Sequence, residues 1–427
     1  GGCTYCSVIN NTVKNGFDGI SLETDTDSMS TTANNLIEGN NILNNELAGI
    51  GIWKCNNNVF RRNNVTNCGC NLLIWGFDLM NFMQDIDDSN TADNKTLYYL
   101  TNCHNLLIQP SNYPNLGSIA LVNCTNIMIR DFNFTSNRDG ILLASSTNCT
   151  LMNVTLNDNC GPLIYGGFPL VYGGLTFYES NNNTIINCRI CNNSYGVCLY
   201  HSDWNTFYYN SFDQNDRQVF PDFYSPFQNV SSGYFSVSSW DNGFEGNYWG
   251  DCTGTDENKD GIGDSPYLVV SLPITPELNQ YDRYPLMGIF HSYDVSHIVP
   301  DCKVTVVSNS TISDFTVKNL SQEERVIEFN ITGDDGTVSF CRVCIPHALL
   351  SPPYTVIIDD GQTQVMYYNG TVFCNGTHTW IYFTFQHSEH SVAILSEFSP
   401  AIILPLFMIL SMLGVVFMKR KYYSSRV

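Results

Sequence analysis

Positive charge is scarce in this 427-residue chain: 19 Lys and Arg stand against 40 Asp and Glu, a formal net charge of −21. So acidic a surface repels phosphate, which argues against nucleic acid as a partner. Charge of either sign is thin, at 14% of residues against roughly 25% in ordinary soluble domains, so uncharged polar groups must carry the wet surface. The eight His are scattered, with only His387 and His390 close, whereas copper handling needs clustered His, Met or Cys. Neither Gly-X-Ser-X-Gly nor His-Glu-X-X-His occurs, so a nucleophile elbow and a zinc-protease helix are absent.

Asparagine is what the chain has in excess. Of 50 Asn, 43 precede residue 251, which divides the chain by composition near that point. Up to about residue 215 one phrase recurs, Asn-Asn-X-apolar-X-X-Asn followed by Gly-apolar-X-apolar, as in Asn34-Asn35-Leu36-Ile37 through Gly49-Ile50-Gly51-Ile52. Further copies begin at Asn57, Asn123, Asn148, Asn182 and Trp204, and the steps Ile50 to Leu72 and Thr184 to Thr206 are both 22 residues. Apolar runs of three to five residues alternating with period 2 are short strands. A unit of three such strands cannot bury its apolar side alone, so copies must stack, one coil per repeat, rising ~4.8 Å per rung: a parallel β-helix. Asn at a corner suits a left-handed turn and an amide ladder. The chain opens Gly1-Gly2-Cys3 with no apolar leader, and an open first rung is a pairing hazard, so further rungs or a cap are expected upstream.

The stretches Gln84–Leu100 and Ile119–Ile127, then Gly246-Asn247-Tyr248-Trp249, Asp256–Tyr267 and Tyr284-Pro285-Leu286, resemble the NosD-like branch of right-handed β-helix proteins common on archaeal surfaces. The resemblance spans roughly residues 1–288 and implies an all-β fold: a right-handed parallel β-helix over 1–245 and a loop-rich cap over 246–290. Beyond it, alternating segments such as Lys303–Val307, Arg325–Ile331 and Trp380–Phe385 predict a small β-sandwich over 300–395, similar to the module linking such coils to their anchor. Pro400–Met418 carries no charge and is closed by Lys419-Arg420-Lys421. That predicts one transmembrane helix over 400–418, a cytoplasmic tail over 419–427 and residues 1–399 outside the cell, hence a single-pass cell-membrane protein. Ser396-Glu397-Phe398 is similar to archaeal sorting tails.

Outside the cell, Asn-X-Ser/Thr sites become glycosylation candidates. There are 15, among them Asn64, Asn94, Asn123, Asn133, Asn148, Asn153, Asn229, Asn330, Asn369 and Asn375. Within the cap, Asp256, Asn258, Asp260, the carbonyl of Ile262 and Asp264, with Gly261 at position 6, match the first nine places of a calcium loop; position 12 is Tyr267, not the bidentate Glu. The competing reading is a plain acidic turn. Of the 17 Cys, Cys68, Cys103, Cys124, Cys149 and Cys188 fall in or beside the repeat, where a small buried side chain can stack. The Cys-X-X-Cys pairs Cys3/Cys6, Cys188/Cys191 and Cys341/Cys344 are too dispersed to share zinc readily, and Cys341, Cys344 and Cys374 are the candidates for a sandwich disulfide.

Glycosidase chemistry needs two carboxyls ~5 to 9.5 Å apart, and Asp18, Asp139, Asp158 and Asp203 fall on separate rungs. Trp53, Trp75, Tyr172, Phe177, Tyr178, Trp204, Tyr208 and Tyr209 lie on or beside strands and could stack on sugars, although core and rung stacking is the favoured reading of such residues. The reading is a membrane-anchored, non-enzymatic surface protein that binds glycans or envelope partners. A polysaccharide lyase or hydrolase, and a copper-site accessory protein, are the alternatives.

Overall fold

The computed structural model describes residues 2–24, 31–76, 78–138, 140–159, 163–165, 168–170, 173–221, 236–272, 276–319, 325–359, 363–364, 373–374 and 376–396. The predicted span 400–418 lies outside them, and among the described residues no helix is long and apolar enough to cross a membrane. The chain divides into two compact units, Gly1–Phe290 and His291–Val427.

The first unit stacks short parallel strands in the registers the repeat predicts: Ile50 pairs with Leu72 and Thr184 with Thr206. It is not one uninterrupted coil, however. Thr91–Ala92 turns back on Lys95–Thr101 as an antiparallel hairpin, with Asp93 and Asn94 both at positive φ (49° and 63°), as a two-residue type I′ turn requires. The hairpin lies within a single ten-stranded sheet running from Thr12–Lys14 to Arg217–Pro221, so strand direction reverses midway along the stack.

The interior changes side at the same point. Before the hairpin, Ile42 and Val65 face a core that includes Ile37, Phe60 and Ile74. After it, Ile119, Leu121, Ile141, Leu143 and Phe177 face a second core, while their neighbours Ala120, Val122 and Ala144 still look back at the first. Reversed direction, continued stacking and an interior on the opposite face together preserve the hand of the coil, as the chirality of strand crossovers demands. Two coils therefore share one wall. The helical turn Leu79–Phe82 lies against the first core, with the Phe82 ring 4.7 Å from Tyr178 and its carbonyl accepting from the Tyr99 hydroxyl.

The far end of the second coil is filled by aromatics. Phe207 stacks on Trp240, Phe212 on Trp249 and Trp249 on Tyr267, with centroids 4.4 to 4.6 Å apart. Tyr248–Trp249, expected in the cap, is itself a last rung, paired in parallel with Ser211–Phe212. The hairpin of Tyr267–Val270 with Gln280–Asp282 follows.

The second unit is a sandwich of antiparallel sheets around one core. Lys303–Ser308, Arg325–Thr332 and His378–Gln386 contain the three segments named from the sequence, and Thr311–Asn319 and Tyr354–Ile358 are further strands. A sixth, Val338–Pro346, sits between Lys303–Ser308 and His378–Gln386 and is buried almost throughout, which hides the alternation that marks a half-exposed strand.

Candidate functional site

Corner geometry explains the repeat phrase. One residue adopts positive φ and faces out, and the next turns inward, as in Asn57 then Asn58 and Asn182 then Asn183, with φ of 51° and 58° at the outer residue and the inner one fully buried. Asn tolerates the left-handed region better than most residues. Inward amides form ladders: Asn183 Oδ1 accepts from Cys149 N (2.8 Å), and its Nδ2 donates to Asn205 Oδ1 (3.0 Å) and Ser146 O (3.1 Å). At another corner Ser146, Ser180, Ser202 and Ser236 form a hydroxyl ladder, each backbone N–H donating to the next Oγ at 2.8 to 3.0 Å.

The repeat cysteines occupy the same inward place. Cys68, Cys124, Cys149 and Cys188 are buried and Cys103 half-buried, and the thiols of Cys124, Cys149 and Cys188 donate to the carbonyls of Val122, Thr147 and Ile186. Burial pushes Cys124 up to about 11 and Cys188 up to about 12, keeping both as thiols at neutral pH. Cys3 and Cys6 form a disulfide. The expected bridge among Cys341, Cys344 and Cys374 is corrected in part: Cys341 is a buried free thiol donating to Ser308 Oγ (3.4 Å). Cys344 lies three positions along the same strand, hence on its other face; the side chain of Cys374 lies outside the described residues.

One ladder ends in a charge. Cys188 N donates to Asn210, Asn210 to Asn247, and Asn247 N to Asp282 Oδ2 at 2.7 Å. Asp282 is fully buried and also accepts from Trp249 Nε1 (2.9 Å) and Tyr284 N (3.1 Å). An amide ladder needs a final group that only accepts, and a carboxylate meets that need. Burial nonetheless pushes its pKa up to about 6 against the opposing hydrogen bonds. Nothing in the sequence distinguishes Asp282 from a surface aspartate.

The corner rule also accounts for several sequons of the coils. In Asn123-Cys124-Thr125, Asn148-Cys149-Thr150, Asn153-Val154-Thr155 and Asn182-Asn183-Thr184 the exposed left-handed Asn and the buried middle residue precede a Thr that begins a strand. Asn94 is exposed at the hairpin turn; Asn64 and Asn133 sit on strands, half-buried and exposed. Asn330 is in the sandwich, and Asn229, Asn369 and Asn375 lie outside the described residues.

The second coil turns one five-stranded sheet outward, built from His104–Ile108, Thr125–Arg130, Thr150–Met152, Thr184–Ile186 and Thr206–Tyr208. Its inner side chains Ile129, Leu151, Ile185 and Phe207 are core. Its outer side carries a row aligned as Leu107, Met128, Thr150, Thr184 and Thr206, and beside it Arg130, Met152, Ile186 and Tyr208. Leu107 and Met128 are among the exposed apolar residues, and Trp204, at the corner before Thr206, is 67% exposed. The other nominated aromatics are less open. Trp53 and Phe177 are buried, Trp75, Tyr178 and Tyr208 half-buried, Tyr209 stacks on Phe290, and Tyr172 lies outside the described residues.

The acidic loop is internally bonded. Asp256 accepts from the N–H groups of Asp260 (3.0 Å) and Gly261 (2.9 Å), Asp260 from Ile262 N (2.8 Å), and Asp264 from Glu257 N (2.8 Å); Gly261 takes a φ of +78°. Among the described residues no group of three or more His, Cys, Asp and Glu side chains could hold a metal ion. Two nominated aspartates brace backbone: Asp18 accepts from Ala48 N (3.3 Å) and Asp203 from Val237 N (2.8 Å). Asp158 is exposed beside Asn157, and Asp139 lies outside the described residues.

In the sandwich, Ser388 Oγ, His390 and Asp359 imitate a nucleophile–base–acid series, with His390 Nε2 at 2.8 Å from Ser388 and Nδ1 at 2.6 Å from Asp359. Yet Nε2 is also 2.9 Å from the carbonyl of Gln386. Two acceptors on two nitrogens favour the imidazolium, which cannot take a serine proton. Desolvation opposes that charge, but the bonds to Asp359 and Gln386 outweigh it and His390 titrates above its ordinary value. A raised histidine stabilises fully below its unfolded pKa of ~6.5 and loses the effect as pH rises through the folded value. Thermal melts of wild type and His390→Gln should therefore converge as pH rises from below about 6.5; a constant gap would refute the clasp.

Residues 75–238, which include the hairpin and most of the second coil, match the family model described as right handed beta helix region. No curated protein matches the chain.

Proposed function

We propose that this protein is a membrane-anchored, non-enzymatic component of the cell surface that binds glycans on the outward sheet of its second coil, and that it belongs to the NosD-like branch of β-helix proteins. The observation that carries this reading is the open row from Leu107 and Met128 to the threonines and the 67% exposed Trp204. Apolar and hydroxyl-bearing side chains at rung spacing offer the C–H faces of sugar rings a surface and their hydroxyls partners, with Trp204 as the stacking anchor. Asp18 and Asp203 hold backbone N–H groups, roles that favour binding over polysaccharide cleavage. The uncharged 400–418 segment and its basic flank support the anchor and the outside location.

A glycan-array screen of the full chain in detergent tests the reading. Retention without released oligosaccharide is expected, and Trp204→Ala should weaken it by about 3- to 10-fold, the worth of one aromatic stack. Product release would favour the hydrolase or lyase alternative instead, and indifference to Trp204 would remove the sheet from the site.

Calcium at the Asp256–Asp264 loop belongs to the same proposal as a structural ion. The N–H groups of Asp260 and Gly261 donate to Asp256 and shape the turn, and oxygens at positions 1, 3, 5 and 9 are the donor set of a calcium loop. Saturating calcium should raise the melting temperature of the first unit by roughly 5 °C over chelator, and Asp260→Ala should abolish the difference. Equal melts with and without chelator would reduce the loop to an acidic turn.

A further inference from the structure

A groove of about 660 Å³ lies on the sandwich sheet formed by Thr311–Asn319, Arg325–Thr332, His390–Ser396 and Tyr354–Ile358. Strand register arranges its lining in rows. Asn330 and Ser391 are paired near Asp314 at one end, and Val326 and Leu395 are paired at the other. Between them Glu328 aligns with Ala393, and Lys318 pairs with Glu328 along the edge strand. Polar groups at one end and apolar ones at the other suit a ligand with hydroxyls and C–H faces, and the volume is within the range of small-ligand sites.

Asn330 begins the sequon Asn330-Ile331-Thr332, and the ladder that accounts for the coil sequons has no counterpart here. Its side chain makes one hydrogen bond among the described residues, from Nδ2 to Asp314 Oδ2 at 2.9 Å. Asn309, also a sequon residue, is engaged quite differently. Its Oδ1 accepts from Ser339 Oγ (2.9 Å) and Phe340 N (3.0 Å), and its Nδ2 donates to Val338 O (3.1 Å), so it splices two strands together.

We propose that Asn330 carries an N-linked glycan whose first sugars lie in this groove; the inference rests on the outside location proposed above. Transfer from a lipid-linked oligosaccharide forms the bond from Nδ2 to sugar C1 and breaks the bond from C1 to the carrier pyrophosphate. One amide proton is released, and the second N–H still donates to Asp314. The groove then shields the sugar, with Ser391 and Asp314 meeting its hydroxyls and the half-buried Ala393 and Leu395 its C–H face.

Glycopeptide mapping of the full chain, expressed in a host with N-glycosylation, tests this. Asn330 should be occupied and Asn309 empty; Thr332→Ala, which keeps Asn330 itself, should abolish the glycan while the thermal melt stays cooperative. Endoglycosidase should release the Asn330 glycan about tenfold more slowly from native than from denatured protein, equivalent to about 1.4 kcal/mol of groove contact. An empty Asn330 in molecules glycosylated at Asn148 or Asn182 overturns the inference and leaves the surface reading intact. Equal release rates overturn the seat in the groove. A chain unmodified at every sequon, in that host and in its own, overturns the inference and takes the support for an outside location with it.

Discussion

Gly246→Ala is expected to unfold the end of the second coil. A Cβ at that position would stand 1.8 Å from Asp282 Oδ1 and 2.4 Å from Oδ2. The carboxylate cannot retreat, because Asn247 N, Trp249 Nε1 and Tyr284 N hold it from three directions. Overpacking and the loss of an acceptor for buried donors together cost on the order of 3 to 5 kcal/mol. Urea denaturation followed by the fluorescence of buried Trp240 and Trp249 reads the loss, and a change under about 1 kcal/mol, the net worth of one ordinary hydrogen bond, would show that the Asp282 cradle can relax. The same carboxylate gives the end of the coil a pH dependence of definite sign. With its pKa pushed up to about 6 from ~3.9 unfolded, the native state holds the proton more tightly. Its contribution is complete below about pH 4 and lost as pH rises through 6, a span of about 3 kcal/mol. The stability of wild type relative to Asp282→Asn should therefore rise as pH falls from 7 to 4.5; a flat difference would mean that the ladder's donors hold Asp282 ionised throughout.

The second large effect is expected at Asn210, midway along the same ladder. Its Oδ1 accepts from Cys188 N (2.9 Å), and its Nδ2 donates to Ile185 O (2.8 Å) and Asn247 Oδ1 (2.9 Å), all within buried surroundings. Asn210→Ala strands Cys188 N and Ile185 O where water cannot replace the lost partner, while Asn247 Oδ1 keeps the backbone N–H of residue 210 (3.1 Å). At about 1 to 3 kcal/mol for each of the two unsatisfied groups, partly relieved by relaxation, a loss of about 2 to 4 kcal/mol follows. Half-buried Asn187, at a neighbouring corner with φ of 52°, is the control. Asn187→Gly keeps the left-handed turn and removes only an outward side chain, so it should change stability by no more than about 0.5 kcal/mol. If the two substitutions cost the same, the corner conformation rather than the inward amide holds the rungs together.

The difference between those two asparagines is also the limit of what could be read without coordinates. The repeated Asn-Asn phrase fixed the rung length, and Ile50 with Leu72 and Thr184 with Thr206 were aligned from spacing alone, because a 22-residue step has to bring equivalent strands into register. Which Asn of a pair faces in is not written in the pair itself; it follows from one residue taking positive φ and the next entering the strand. The ladder role of Cys124, Cys149 and Cys188 was likewise half-legible: their positions in the phrase marked them as stacking residues, but not as substitutes for Asn and Ser at the hydrogen-bonded corner. On the candidate surface, Trp204 was among the aromatics nominated from sequence, whereas the row from Leu107 to Thr206 was not, because outward and inward residues of a short strand look alike until its partner strands are known.

Sequence by itself determined that this chain coils in short strands, that asparagine supports the corners, and that a separate antiparallel sandwich follows, since these depend on local periodicity and turn chemistry. Only the tertiary structure decided that the coil crosses to the other face of its own sheet at Asp93-Asn94, that Asp282 terminates an amide ladder, and that Asn330 lies on a groove. Each of these joins residues far apart in the chain, and their meeting is fixed by how rungs and strands stack rather than by any preference of the residues themselves.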